Sequence, residues 1–399
     1  MYVRTWKFSC VALGLSVLFS GCLGPSTFGK RSAPFPAPEN SVHVTRLYLD
    51  KVGDIYPDTT ILLHDRDLRI HDHQLKLYFS SEIGAAQWRN VTELYRLPSD
   101  VPFDTGWDTL QAHLRQQYAI RIEEVSGVGH PLFVLVHGFN AADAQKSYEP
   151  LRAEVIRREP NATFLEVYWD GWSFLPGVGI WGEGQHNSYL AGLGLRRVLN
   201  RIDEETPVRI ITHSLGGAVA TAALWNIESR LDLKPTLEKW RREYFEMRND
   251  TLRRRTPSLR NVRLGMIVPA TTGNTFTDYP LRTPPENRSK IDRVIIGINP
   301  LDFPVTKAGL GCQWRGYSCL GSSATVFHEW VAHELNRDGT QVAYCIDFSR
   351  SSRNRDIFWP FFWREDHDWK SYLRRDAFPE FLAALLNPDV PPLIHACGQ

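Results

Sequence analysis

The chain alternates strand-like and helix-like segments from Pro131 onward, and this pattern limits the fold more than any other feature. The run Leu132–Val136 is apolar throughout and ends at His137-Gly138. An unbroken apolar run of this length is typical of a strand buried on both faces of a parallel sheet. A helix-like segment at 142–158 and a second strand-like run at 163–169 follow. Repetition of this unit predicts an α/β fold, with a mostly parallel sheet, right-handed crossovers and helices on both faces.

The pattern continues through residues 131–399, which we predict to form the core domain. Later strands are predicted at 208–211, 262–268, 293–298 and 341–346, and helices near 188–201, 218–225 and 377–386. A charged, helical insertion at 228–263 interrupts it. This insertion is a solvated face, a cap over a site or a surface for anionic head groups.

The region before the core is harder to assign from sequence. Residues 41–130 either supply the first strands of the same sheet or form a small extra module. Their patterns predict strands at 42–52 and 75–79 and a helix at 107–118.

The first 21 residues have the organisation of an export signal. Arg4 and Lys7 precede an apolar run of about 12 residues, which is too short to span a bilayer as a helix of about 20 residues. The run ends in Leu18-Phe19-Ser20-Gly21-Cys22, which resembles the bacterial lipobox. That resemblance implies a signal peptide at 1–21, an acylated (palmitate-bearing) Cys22 and a flexible tether over 22–40. A plain secretory signal is the alternative.

Two features agree with export to the bacterial cell envelope. Leu23 rather than Asp follows Cys22, which by the same resemblance implies a lipoprotein anchored in the outer membrane and facing the periplasm. Cys312, Cys319, Cys345 and Cys397 remain after the anchor, and an even number in an oxidising compartment predicts two disulfides. Loop closure favours Cys312–Cys319, which leaves Cys345–Cys397. A zinc site is the rival interpretation, although the chain has no CxxC pair.

The charge balance argues against one class of partner. The chain has 46 Lys and Arg residues against 45 Asp and Glu residues, so no excess of positive charge indicates binding to nucleic acid.

The segment Thr212-His213-Ser214-Leu215-Gly216 joins a predicted strand to a predicted helix. A sharp turn at such a junction lifts a serine hydroxyl above the sheet, where a base and the positive end of the helix can activate it. The strained turn favours small residues two positions before and two positions after the serine; Gly216 meets this requirement, whereas Thr212 is bulkier. The pattern therefore indicates that Ser214 is a nucleophile.

Together with His137-Gly138-Phe139-Asn140, this segment resembles the α/β-hydrolase superfamily, in particular its lipase-like and esterase-like members. The resemblance covers about residues 131–386, and Thr212 stands where the family usually has glycine. It implies an oxyanion hole made by the main-chain N–H groups of Phe139 and Leu215. His137 is expected to structure its loop rather than to act as a base.

The superfamily order of nucleophile, acid and histidine implies the other members of a triad. Asp302 lies just beyond the strand at 293–298 and is the predicted acid, with Asp278 as the alternative. His367 lies between the last predicted strand and the last predicted helix, where the family has its base. The other histidines beyond the acid are His328 and His333, on one predicted helix, and His395.

Other clusters carry weaker signals. His64-Asp65 and His71-Asp72-His73 show no spacing that would join them in a ligand set, so they are interpreted as surface residues. The loop from Tyr168 to His186 is rich in aromatic residues and glycine, and it either lines an acyl or aromatic pocket or packs in the core.

The sequence therefore predicts an exported, lipid-anchored serine hydrolase of carboxylic esters, with no metal and no organic cofactor. Its expected partners are a small-molecule or lipid ester and the membrane. The alternatives are a scaffold of the same fold that binds an envelope partner without catalysis, and an amidase or thioesterase.

Overall fold

A computed structural model of the chain shows how these segments are arranged. It describes residues 33–39, 41–57, 71–98, 100–126, 129–139, 144–170, 181–224, 259–276, 290–302, 304–306, 320–336, 339–349, 367–387, 389–391 and 396–397. The predicted signal peptide, Cys22 and most of the insertion at 228–263 lie outside these residues. Among the helices that are described, none has the length and apolar character needed to cross a bilayer.

Seven strands form one sheet in the described part of the chain. They are β1 (His43–Tyr48), β2 (Leu132–Val136), β3 (Thr163–Tyr168), β4 (Val208–His213), β5 (Val262–Ile267), β6 (Ile291–Ile298) and β7 (Ala343–Asp347). The spatial order is β1-β3-β2-β4-β5-β6-β7, and every neighbouring pair is parallel. The predicted parallel α/β architecture is confirmed.

Helices follow most of the strands. They are α1 (Leu75–Phe79), α2 (Ala85–Leu94), α3 (Phe103–Val125), α4 (Ala144–Ile156), α5 (Trp181–Leu199), α6 (Gly216–Leu224), α7 (Trp369–Leu373) and α8 (Ala377–Leu386). A further helical segment covers 324–335, and its middle part, Phe327–Ala332, is a π-helix. Every residue of β2, β3, β4 and β5 is buried. Burial on both faces explains why these strands are apolar without alternation.

The N-terminal region joins the same sheet. β1 pairs with β3 along its whole length, from His43 opposite Thr163 to Tyr48 opposite Tyr168. Helix α3, which the sequence predicts at 107–118, is longer than expected and contacts both β1 and α5. Between the two alternatives for this region, the structure selects an edge strand of the main sheet.

The prediction of a strand at 75–79 is wrong, because these residues form helix α1. Leu75, Tyr78 and Phe79 are buried, whereas Leu77 is 44% exposed. Burial at positions i, i+3 and i+4 is the helical period, which a segment of five residues is too short to reveal with certainty. The carboxylate of the buried Asp50 accepts a hydrogen bond from the Leu75 N–H (2.8 Å) and so holds the start of the helix.

Several boundaries also differ from the predictions, and two of them change which residues belong to the sheet or to a helix near the site. Helix α5 begins at Trp181 rather than near residue 188. Strand β5 begins at Val262, so residues 262 and 263 belong to the sheet and not to the insertion.

The connections reverse direction between β2 and β4. From β2 the chain passes through α4 to β3 on one side, whereas from β4 it passes through α6 to β5 on the other. Such a reversal opens a crevice at the carboxyl ends of the two strands, which is where parallel α/β sheets bind ligands. The strand ends at this crevice are His137 and Ser214, the two positions that the sequence singles out.

One predicted disulfide lies within the described residues. Cys345 in β7 and Cys397 are placed at disulfide distance, with Cα atoms 5.4 Å apart. An isolated antiparallel bridge between Ile346 and Ala396 lies beside them. Cys312 and Cys319 lie outside the described residues.

Candidate active site

Ser214 occupies a strained turn between β4 and α6. Its φ angle is 51°, in the left-handed region that residues other than glycine seldom adopt. Its N–H donates to the carbonyl of Ile267 (3.0 Å), and its carbonyl accepts from Gly217 (3.1 Å) and Ala270 (2.9 Å). These hydrogen bonds hold the strained conformation that a nucleophile at a strand-to-helix turn requires.

Two glycines allow the main chain to close tightly around this turn. A β-carbon on Gly216 would lie 2.5 Å from the carbonyl oxygens of both Val136 and His137, so no larger residue fits there. A β-carbon on Gly138 would lie 2.8 Å from Cβ of Ser214. The loop after β2 therefore lies directly against the serine. Thr212 is accommodated, fully buried, within β4.

The structure brings Ser214, His367 and Asp302 together. Nε2 of His367 lies 2.9 Å from Oγ of Ser214, and Nδ1 of the same ring lies 2.7 Å from Oδ2 of Asp302. The three residues follow β4, precede α7 and follow β6, so they are separated by 153 and 65 positions along the chain. The histidine side chain is 15% exposed, and Ser214 and Asp302 are buried.

The ionisation of Asp302 determines the direction of these hydrogen bonds. Burial alone would raise the pKa of Asp302, but the charge of His367 and hydrogen bonds from His367, Tyr372 and the Val305 N–H bring it below the ordinary value. An ionised carboxylate only accepts hydrogen bonds, so Nδ1 of His367 is the donor. The lone pair of Nε2 then faces the Ser214 hydroxyl, as a general base requires.

Sequence reasoning did not find Tyr372. This residue is fully buried in α7, and its hydroxyl donates to Oδ2 of Asp302 (2.5 Å). Its hydroxyl also accepts from Nδ2 of Asn299 (2.9 Å). A tyrosine five positions after the histidine carries no pattern that distinguishes it from a core residue, so only the folded chain reveals this contact.

His137 has the structural role that the sequence predicts. Its Nδ1 is bonded to the Gly138 carbonyl (2.8 Å), and its Nε2 accepts from the main-chain N–H of Trp169 (3.2 Å). The Trp169 indole stacks on the ring at 5.5 Å and donates to the His137 carbonyl (2.9 Å). Burial lowers the pKa of His137 to about 4, against a weaker opposing effect of the Gly138 hydrogen bond. The ring is neutral and holds the loop before Phe139.

His213 is a second neutral histidine, and its ring packs beside that of His367. Its ring lies 4.6 Å from that of His367. Burial, followed by the charges of His367 and His137, lowers the pKa of His213 well below the ordinary value, while a hydrogen bond to the main chain of His367 opposes this. His213 therefore adds no positive charge beside His367 at neutral pH.

The predicted oxyanion donors lie on the two sides of this turn. Leu215 is buried, and within the described residues its main-chain N–H donates to no protein acceptor. Phe139 follows the glycine that contacts Ser214, and its side chain is partly buried against the core. Leu215 follows Ser214 directly, and Phe139 is one residue beyond Gly138, the residue that packs against Ser214.

Comparison with known proteins finds no family model and no curated protein that matches the chain. The functional interpretation therefore depends on the geometry of the described residues.

Of the other predicted candidates, those that the structure describes make no recorded contact with Ser214, His367 or Asp302. His328 and His333 lie in the helical segment 324–335, where His333 is exposed and His328 is partly buried. Asp278 and His395 lie outside the described residues, as do His64 and Asp65. The interpretation of His73 as a surface residue is wrong: it is 3% exposed, and its Nδ1 lies 3.6 Å from Oδ2 of the buried Asp170. The fold buries it because Asp170, at the end of β3, supplies a partner that spacing along the chain does not reveal.

The aromatic loop between Tyr168 and His186 is described only at its ends. Tyr168, Trp169 and His186 are buried, and Trp169 packs against the loop of His137. These ends pack in the core, and residues 171–180 lie outside the described residues. No cluster of three or more His, Cys, Asp or Glu side chains suited to a metal ion is found in the part of the chain that is described.

Proposed function

We propose that the protein is a serine hydrolase of the α/β-hydrolase type that cleaves carboxylic esters. The observation that supports this most directly is the His367 ring, which contacts the Ser214 hydroxyl through one nitrogen and the Asp302 carboxylate through the other. The strained φ angle of Ser214 and the close approach of Gly138 support the same proposal.

The proposed reaction proceeds through an acyl-enzyme. Oγ of Ser214 attacks the ester carbonyl while its proton passes to Nε2 of His367, and the main-chain N–H groups of Phe139 and Leu215 stabilise the oxyanion. The attack gives a tetrahedral intermediate. Its collapse breaks the ester bond to the alcohol oxygen, and the alcohol leaves with the proton from His367. Water then attacks the acyl group with the same base, releasing the acid and restoring the Ser214 hydroxyl. Asp302 orients the ring and stabilises its positive charge, and no metal or organic cofactor is needed.

The proposed location is the cell envelope. Residues 1–21 would be removed on export, and the lipid on Cys22 would anchor the domain to the outer membrane. The support for this part is the sequence pattern alone.

A fluorophosphonate probe tests the function. We expect the purified protein to be labelled at Ser214 and to hydrolyse p-nitrophenyl esters. Ser214→Ala removes the nucleophile, so it should abolish labelling and lower hydrolysis by about 10⁴-fold or more.

Thermal unfolding of Ser214→Ala serves as the control for folding. A folded wild-type protein that is neither labelled nor active on esters would favour the non-catalytic scaffold. Labelling of Ser214 together with turnover of anilides or thioesters, but not of esters, would favour an amidase or thioesterase that uses the same residues.

A further inference from the structure

Tyr372 shares one carboxylate oxygen with the base. Its hydroxyl donates to Oδ2 of Asp302 (2.5 Å), the same atom that accepts from Nδ1 of His367 (2.7 Å). The other oxygen, Oδ1, accepts from the Val305 N–H (3.0 Å). Three donors therefore hold the carboxylate, and two of them compete for the oxygen that faces the imidazole.

Asn299 determines which way the phenol proton points. Nδ2 of Asn299 donates to the Tyr372 hydroxyl (2.9 Å), and its Oδ1 accepts from the Leu301 N–H (3.1 Å). Because an amide nitrogen can only donate, the phenol oxygen accepts on this side and its own proton must go to Asp302. The donors thus run in one direction, from Asn299 to Tyr372 to Asp302.

The surroundings of Tyr372 keep the phenol protonated and its ring in place. Burial raises the pKa of Tyr372 well above the ordinary value, the charge of Asp302 adds to this, and Arg375 opposes it. The Arg375 guanidinium lies 4.3 Å above the ring, and its Nη1 donates to the Phe348 carbonyl (2.9 Å). The phenol is therefore a permanent donor to the carboxylate.

We propose that Tyr372 is a positioning residue of the serine centre, whose hydroxyl fixes the Asp302 carboxylate and weakens its hold on the protonated His367 ring. The hydrogen bond that the Tyr372 hydroxyl donates to Oδ2 of Asp302 offsets part of the negative charge of the carboxylate. Less of this charge is then available to stabilise the protonated imidazole. Without this hydroxyl, the carboxylate would bind the protonated imidazole more strongly. This inference rests on the proposed hydrolase function.

Tyr372→Phe removes only the hydroxyl and tests the proposal. We expect kcat for a p-nitrophenyl ester to fall about tenfold with little change in KM, because a charged hydrogen bond that orients the base is lost. We also expect the acid limb of the kcat/KM profile to move to higher pH by about half a unit, because the carboxylate then holds the imidazolium more strongly.

The charged and titratable groups around His367 and Tyr372 are few, so a shift of the acid limb in Tyr372→Phe would have a single cause, the lost hydroxyl. Asp302 and His213 face His367, while Asp302, Asn299, Arg375 and His213 face Tyr372. His213 stays neutral, because burial lowers its pKa well below the ordinary value.

Tyr118→Phe is the matched control. Tyr118 is also buried, and its hydroxyl donates to a protein acceptor, the Arg46 carbonyl (2.7 Å), away from the serine. It should lower the melting temperature by a similar few degrees and leave the pH profile unchanged. Asn299→Ala, which keeps the phenol but removes its donor, should move the acid limb in the same direction by less, and it preserves the test if Tyr372→Phe does not fold.

The outcomes separate this inference from the proposed function. An active, labelled wild-type protein whose Tyr372→Phe and Asn299→Ala variants keep the wild-type acid limb would overturn the positioning role, even if both variants were less stable. A wild-type protein without labelling or hydrolysis would instead refute the proposed function, and the role of Tyr372 with it.

Discussion

At the residue scale, the site depends on histidines that the fold treats differently. His367 is partly exposed between a hydroxyl and a carboxylate, whereas His137 is fully enclosed and bonded to main-chain groups. Histidine is therefore a candidate base at position 367, whereas at position 137 it is neutral and holds a loop through hydrogen bonds. The difference lies in the partners and the solvation of each ring, and not in the residue type.

The neutral state of His137 predicts a pH-dependent stability. Its pKa is about 4 in the folded state and about 6.5 when unfolded, so between these values the unfolded state binds more protons. The contribution of His137 to the free energy of unfolding is fully present above about pH 6.5. It falls by about 3 kcal/mol as the pH decreases toward 4. We expect His137→Gln to show a smaller difference in melting temperature between pH 7 and pH 4.5 than the wild type.

His113, an exposed histidine, provides the comparison. His113→Gln should retain the wild-type pH dependence of melting. An equal pH dependence in His137→Gln and the wild type would show that burial of His137 does not control stability in this range.

At the element scale, the outer strands are joined by a buried ion pair. Arg46 in β1 lies opposite Glu166 in β3, with Nε 3.2 Å from Oε2. Arg152 on α4 contacts the other oxygen, and the Tyr168 hydroxyl donates to Oε2 (2.7 Å). Glu166 is fully buried, and its carboxylate forms an ion pair with both arginines.

Glu166→Ala should therefore be strongly destabilising. The variant leaves two largely buried guanidinium groups without their carboxylate, which costs about 3–5 kcal/mol when a buried pair is broken. Urea unfolding measures this as a lower midpoint. Glu154→Ala, which breaks the largely exposed pair between Glu154 on α4 and Arg157 just after this helix, should cost less than about 1 kcal/mol. Equal losses in the two variants would contradict a special role for the buried pair.

At the scale of the whole molecule, the sheet assembles a site from distant segments. The crevice between β2 and β4 receives the loop at 137–139 and the turn at 214, while β6 and α7 bring the acid and the histidine to it. Strand β7 forms one edge of the sheet. Ala396 pairs with Ile346 of this strand, and Cys397 lies at disulfide distance from Cys345. The site and this edge are thus separate parts of one architecture.

Removal of the disulfide should lower stability and spare the site. Cys345 and Cys397 are 52 positions apart, and closing a loop of that size restricts the unfolded chain by about 4 kcal/mol in the entropy model. We expect Cys345→Ser/Cys397→Ser to melt several degrees below the wild type and to retain labelling of Ser214 at room temperature.

Reduction provides the internal check on this variant. Dithiothreitol should lower the melting temperature of the wild type more than that of the double variant. An unchanged melting temperature in the double variant would show that the bridge does not stabilise the fold.

The sequence by itself determined the parallel α/β architecture and pointed to the three residues that the structure brings together at the candidate site. Buried strands such as β2 and β4 are unbroken apolar runs, and the turn at Ser214 carries its own glycine, so both are local signals. The order of elements then placed Asp302 and His367 at strand and helix ends, where the superfamily resemblance assigned them roles.

Only the tertiary structure decided the contacts that join segments far apart in the chain. The helix at Leu75–Phe79, the burial of His73 against Asp170 and the hydrogen bond from Tyr372 to Asp302 have no local pattern. Each depends on which side chains the sheet order brings together, and on how much water is excluded there. Spacing along the chain encodes periodicity, whereas burial and the pairing of polar groups are properties of the packed molecule.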